Sequence, residues 1–144
     1  MGLDAVVFKN LRNLTLTGSE DAIEVDPLTK QVSFKDDEVG NQYSNTFFRS
    51  IARRLGNVAA LSEILAEISE TSNPEKILRS KVLNSFTHCG DVIHFEELSA
   101  LNQEIQEIKE TTEGRRSRRL DQFLTDLEEL IAAARAQENP IVFI

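Results

Sequence analysis

Both histidines of the chain, its only cysteine and an acid fall together in Thr87-His88-Cys89-Gly90-Asp91-Val92-Ile93-His94. Such a set could supply a thiolate nucleophile with a base beside it, or imidazole, thiolate and carboxylate ligands to a transition metal. A metal needs at least three ligands converging at bonding distance. Neighbours such as His88 and Cys89 usually point apart, and no further histidine exists to complete the set. The competing reading is a turn in which Cys89 is buried as a small apolar side chain and Asp91 bonds the loop backbone. That reading is the expectation here, and a metal- or thiol-dependent enzyme or sensor built on His88, Cys89, Asp91 and His94 is the alternative.

No other segment carries an enzyme signature. The chain has no glycine-rich phosphate loop, no G-x-S-x-G, no H-E-x-x-H and no calcium-loop ladder of acids. Its many carboxylates fall on predicted helix surfaces, where acids carry little specificity for acid/base catalysis. Gly114-Arg115-Arg116-Ser117-Arg118-Arg119 is the one basic run and could meet phosphate. The acidic segment just before it offers neutralisation within the protein instead, and no interleaved aromatics provide stacking platforms for nucleic acid. The formal net charge of -8 is shared evenly by the two halves, so the overall field repels phosphate backbones and favours a basic partner.

Positioning falls to the surrounding elements. At 144 residues, 40% hydrophobic and 28% charged, the chain has ordinary globular usage and is long enough for one core without disulfides or metals. A single domain spanning 1–144 is expected. Leu3 to Phe8 reads as a central strand buried on both faces, because its valines run together instead of alternating. Leu14 to Thr17 alternates and predicts a second strand. Ala22 to Asp26 and Gln31 to Lys35 flank Pro27-Leu28-Thr29-Lys30 as a hairpin. Asp36 to Gln42 reads as an exposed acidic loop. Phe47, Phe48, Ile51 and Leu55 are spaced for a helix from Ser44, which Gly56-Asn57 would close.

Further helices are predicted on Val58, Leu61, Ile64, Leu65 and Ile68, and on Ile77, Leu78, Val82 and Leu83 after the start signal Ser72-Asn73-Pro74-Glu75. Phe86 to Phe95 forms a joint with a brief strand at Val92-Ile93. A fourth helix buries Leu98, Leu101, Ile105 and Ile108 and leaves Glu96, Glu97, Glu104, Glu107 and Glu110 to solvent. The fifth has the clearest period, from Leu120 through Phe123, Leu124, Leu127, Leu130 and Ile131 to Ala134. Asn139-Pro140 stops it, and Ile141 to Ile144 is expected to return beside the first strand. The predicted class is α+β: a small, mainly antiparallel sheet of N-terminal strands, hairpin and C-terminal strand, packed against about five helices.

The opening Met1-Gly2-Leu3-Asp4-Ala5 and the stretch Leu83-Asn84-Ser85-Phe86-Thr87-His88-Cys89-Gly90-Asp91, followed by a helix and a last short strand, resemble small bacterial proteins grouped with the immunity proteins of polymorphic toxins. In that group the joint reads approximately His-Ser-Asp-Cys, then an acid-Gly pair and a helix start. Here His88 stands where an acid is usual, and Gly90 and Asp91 are transposed, so no ligand role is carried over. The resemblance implies a cytosolic protein that binds and blocks one cognate toxin and has no catalytic activity. The acidic composition independently suits occlusion of a basic toxin, such as a nuclease.

The acids expected to contact that partner are Asp36, Asp37 and Glu38 in the loop, with Glu97, Glu104 and Glu107 on the fourth helix. Ordinary solubilising charge is the plain alternative for the same residues. No cofactor is expected, and neither nucleic acid nor a membrane is expected as a partner. The longest apolar runs are strand-sized and the start lacks a secretory pattern, which predicts a cytoplasmic location. Monomer and homodimer both stay open, as does a self-associating regulatory role.

Overall fold

Consecutive β-branched residues with no polar partner face favour a strand covered on both sides, and that is what the N-terminus forms. The computed structural model describes residues 2–14, 22–44, 46–84 and 91–144. Strand β1 (Gly2–Phe8) pairs antiparallel with β4 (Arg49–Asn57) on one side and β6 (Ile141–Phe143) on the other, and β6 in turn pairs with β5 (Val92–Ile93). The order is β4-β1-β6-β5, so the two ends of the chain meet in the middle of the sheet. Leu3, Ala5 and Val7 point to the helices with Leu55, Ile93, Ile141 and Phe143. Val6, Phe8, Val92 and Val142 form a smaller apolar cluster on the opposite face.

The predicted hairpin is present as β2 (Ile23–Val25) and β3 (Val32–Phe34), which make a two-stranded sheet of their own. Its turn is set by Asp26, whose carboxylate accepts the backbone N–H groups of Leu28 at 2.9 Å and Thr29 at 2.8 Å. The bonds from Thr29 and Leu28 hold the Asp26 carboxyl below its usual range. Of the strand expected at Leu14 to Thr17, residues 15–17 lie outside the described residues.

Three long helices complete the fold: α2 (Val58–Ile68), α3 (Leu98–Thr111) and α4 (Arg118–Gln137). Their buried stripes are the ones the sequence predicts, with Leu61, Ile64 and Ile68 on α2, Leu98, Leu101, Ile105 and Ile108 on α3, and Leu120 through Ala134 on α4. Asn57 caps α2, its side chain accepting the Ala60 N–H at 2.8 Å, and Ser117 caps α4. Gly114, at φ +77°, makes the turn between α3 and α4. After α4, Glu138 takes the left-handed conformation and the Asn139 side chain donates to the Phe8 carbonyl at 2.8 Å, latching the helix end to β1. No helix among the described residues is long and apolar enough to cross a membrane.

The structure corrects four expectations. The segment predicted as a helix from Ser44 is a turn followed by β4. Its apolar residues Ile51 and Leu55 lie four apart, a spacing that fits both periods, and the alternation of half-buried and exposed residues along β4 shows that period two prevails. The acidic loop contains a single helical turn, α1 (Asp37–Gly40), because the Asp36 side chain caps it by accepting the Glu38 N–H at 2.9 Å. The third predicted helix shrinks to a π-helical turn at Leu78–Val82, where the Leu83 N–H reaches back to the Leu78 carbonyl at 2.9 Å. Its apolar pairs recur five residues apart, which suits i→i+5 bonding better than an α-helix. Finally, Glu104 is not solvated: it is only 8% exposed.

Candidate functional site

Three predicted contact acids, Glu97 just before α3 and Glu104 and Glu107 on it, are engaged within the fold. Glu107 pairs with Lys76 at 3.2 Å, and Glu97 pairs with Lys81 at 2.7 Å while accepting the His94 N–H at 3.1 Å. Glu104 lies between them and accepts the Leu78 N–H at 3.3 Å, satisfying a donor at the opening of the π turn. These carboxylates therefore fasten the segment at 76–81 to α3. Burial pushes the Glu104 carboxyl up, against the opposing pull of the Leu78 N–H and the Lys76 charge. Burial acts upward on Glu97 as well, but there the bonds from Lys81 and the His94 N–H prevail and hold it low.

Three of the run's four arginines are likewise bound within the fold, although their acids come from other elements than the preceding segment. Arg116 pairs with Asp121 at 2.9 Å and Arg119 with Glu63 of α2, while Arg115 donates to the Thr111 carbonyl at the end of α3. Ser117, between them, donates its N–H and its hydroxyl to the Glu67 carboxylate at 2.7 and 2.6 Å. The basic turn thus docks onto α2.

Of the joint residues, His88 and Cys89 lie outside the described residues. Asp91 and His94 line a cleft of about 330 Å³ with Ser80, Lys81, Asn84, Val92 and the hairpin's Leu28. Among the described residues no group of three or more His, Cys, Asp or Glu side chains could hold a metal ion.

Asp36, Asp37 and Glu38 behave differently from the α3 acids. All three are exposed, and no ion pair to any of them occurs among the described residues. Asp37 lines a cleft of about 510 Å³ whose wall also includes Gln31, Phe34, Tyr43, Phe48 and Arg49. Three rings among its lining residues are in mutual contact: Phe34 stacks on Tyr43 at 5.4 Å with planes 9° apart, and the buried Phe48 touches both at 5.5 to 5.6 Å. Phe47 extends the group and carries the Lys9 ammonium 5.0 Å above its ring.

Sequence reasoning missed this aromatic group, having assigned Phe34 to the hairpin and Phe47 and Phe48 to a helical stripe. A signal was present. The only tyrosine and three phenylalanines of a chain that is 6% aromatic fall between positions 34 and 48, beside its densest run of exposed acids. Tyrosine and arginine are residue types enriched at protein-binding hot spots. Comparison of the chain with protein-family models, with curated proteins and with solved structures found no match.

Proposed function

We propose that this chain is a protein-binding domain that holds a basic protein partner through α1 and the aromatic cleft beside it, acting as an immunity-type inhibitor of a toxin. The observation that carries the reading is the contrast between its acids. Glu104 and Glu107 on α3 and Glu97 just before it are spent on Lys76, Lys81 and a backbone N–H, whereas Asp36, Asp37 and Glu38 are exposed, with no ion pair among the described residues, beside a cleft that Phe34 and Tyr43 help to line. Exposed acids steer a cationic surface into encounter, and aromatic side chains that become buried in the complex then set the dissociation rate. Arg49, on the same wall, offers one donor for a partner carboxylate. The contact set is therefore narrowed to α1 and the cleft, and Glu97, Glu104 and Glu107 are assigned to holding the fold.

The test is affinity capture from the native host at low and high salt, with the wild type and with Asp36→Asn/Asp37→Asn/Glu38→Gln. Asparagine caps a helical turn as well as aspartate does, so this variant removes charge without removing the cap. A basic protein captured by the wild type, released by salt, and bound at least about tenfold more weakly by the variant is the expected result. Equal binding by both at low salt would sink the proposed surface.

A further inference from the structure

Away from α1, we infer that the cleft where the end of β1, the hairpin turn and the end of α4 meet is an oxyanion site, taking a phosphate group that is free or carried on a small molecule. The cleft has a volume of about 330 Å³ and brings together Lys9, Arg12 and Lys30 from separate parts of the chain. Glu138 is the one acid among its described lining residues. In a chain of net charge -8, three cations to one acid is a local reversal of sign.

The backbone supplies a second observation. Lys30, at φ +66°, and Glu138, at φ +54°, are the two non-glycine residues held in the left-handed conformation among those described, and both line this cleft. Lys30 closes the hairpin turn and Glu138 follows the last turn of α4, two places where glycine is the ordinary occupant and carries no such strain. Strained positions that retain charged side chains and converge on one cleft are the mark of a ligand clamp. The state of the cations is the third observation. Arg12 is fixed in place: its Nε donates to the Asn10 side chain at 3.3 Å and a terminal nitrogen pairs with Glu138. Asn10 in turn is bound to Gln137 through its backbone N–H at 2.8 Å and its side-chain amide at 3.0 Å. Lys9 rests over the Phe47 ring at 5.0 Å, a contact that does not use all three of its N–H groups. The Lys30 ammonium has no hydrogen bond or ion pair among the described residues. Asp26, whose carboxyl feels the Lys30 charge, is turned to the N–H groups of Leu28 and Thr29 and does not line the cleft. Two ammonium groups and a pre-positioned guanidinium suit the several oxygens and double charge of a phosphate.

The test follows the amide signals of the nitrogen-15-labelled full chain by nuclear magnetic resonance as sodium phosphate or glycerol 3-phosphate is added, with sodium chloride at matched ionic strength as the control. Saturable shifts centred on residues 9–12, 30 and 138–139 are expected, with a Kd on the order of 1 mM. Tighter binding of the ester than of phosphate would assign the site to a phosphorylated small molecule, and equal or weaker binding to free phosphate. Lys30→Gly removes one cation and the backbone strain together, so it should weaken phosphate binding at least about fivefold while raising the thermal midpoint by a few degrees. Lys30→Arg keeps the charge and should bind as wild type does. Equal shifts with chloride would mean an adventitious ion only and would overturn the inference, as would no saturation below about 50 mM or wild-type affinity in Lys30→Gly. A lowered midpoint in Lys30→Gly would show that Lys30 serves the fold, and would equally overturn the clamp.

Discussion

Glu104 shows most directly how a single side chain can be misread. It stands three residues after Leu101 and four before Ile108, so helical spacing places it on the apolar stripe, while its charge argues for solvent. Spacing prevails because the π turn presents a backbone N–H that needs an acceptor, a requirement invisible until the turn and α3 are packed together. The cost appears in titration. A carboxyl raised by folding contributes stability that is full below its unfolded value near 4.5 and is lost as pH rises through the folded value. Glu104→Gln keeps the acceptor and removes the charge. It should therefore be more stable than wild type at about pH 8, with the two converging below 4.5. Glu97 has the opposite sign: its lowered carboxyl contributes above 4.5 and loses that contribution as pH falls, so Glu97→Gln should be destabilised at neutral pH and match wild type in acid. Chemical denaturation of both variants across pH checks the pair, and parallel profiles would contradict the assignment.

Among the elements, those with a long unambiguous period were legible and those defined by pairing were not. The stripes on α2, α3 and α4 are fixed by local spacing, and the β1 valines announce a central strand. For β4 the local signal is divided, and what decides is the partner: β1 offers a complete edge, and Val6↔Ala52 and Val7↔Ile51 register only if the segment is extended. Because α1, β3 and β4 were assigned separately, the cleft where they meet could not be foreseen from the chain. Once extended, β4 is the outer strand of the described sheet, and its far face shows Ser50, Ala52 and Arg54 to solvent. Arg54 is held to Asp4 at 3.2 Å, and a charged side chain there discourages another chain from adding to the edge. Ser50→Val/Arg54→Val should leave the β1–β4 register intact and raise β propensity while uncovering the edge. Light scattering is expected to show concentration-dependent association of this variant beyond that of wild type. A variant that matches wild type at high concentration would mean the edge is blocked by something other than charge.

Taken together, the sheet order ties distant parts of the chain into one structure. The C-terminal strand β6 sits between β1 and β5, its Phe143 is fully buried against Ala5, and Asn139 bonds the end of β1. Around it α2, α3 and α4 share one core that runs from Leu3 to Phe143. Such an arrangement has few contacts that can be lost locally, because removing β6 frees the edges of both β1 and β5 and empties the space that Phe143 fills. Phe143→Ala should therefore lower global stability by about 3 to 5 kcal/mol, the range for a large buried aromatic replaced by a cavity. Deleting residues 141–144 should abolish the native fold outright. In wild type, near-UV and far-UV circular dichroism should report one coincident thermal transition, as expected if 1–144 is a single cooperative unit. Two separated transitions, or a Phe143→Ala variant in which the helices melt at the wild-type temperature, would instead divide the molecule into a helical part and a strand part with separate stabilities. That outcome would also bear on the cleft, since Phe34, Tyr43 and Phe48 are held beside β4 and keep their arrangement only while the sheet does.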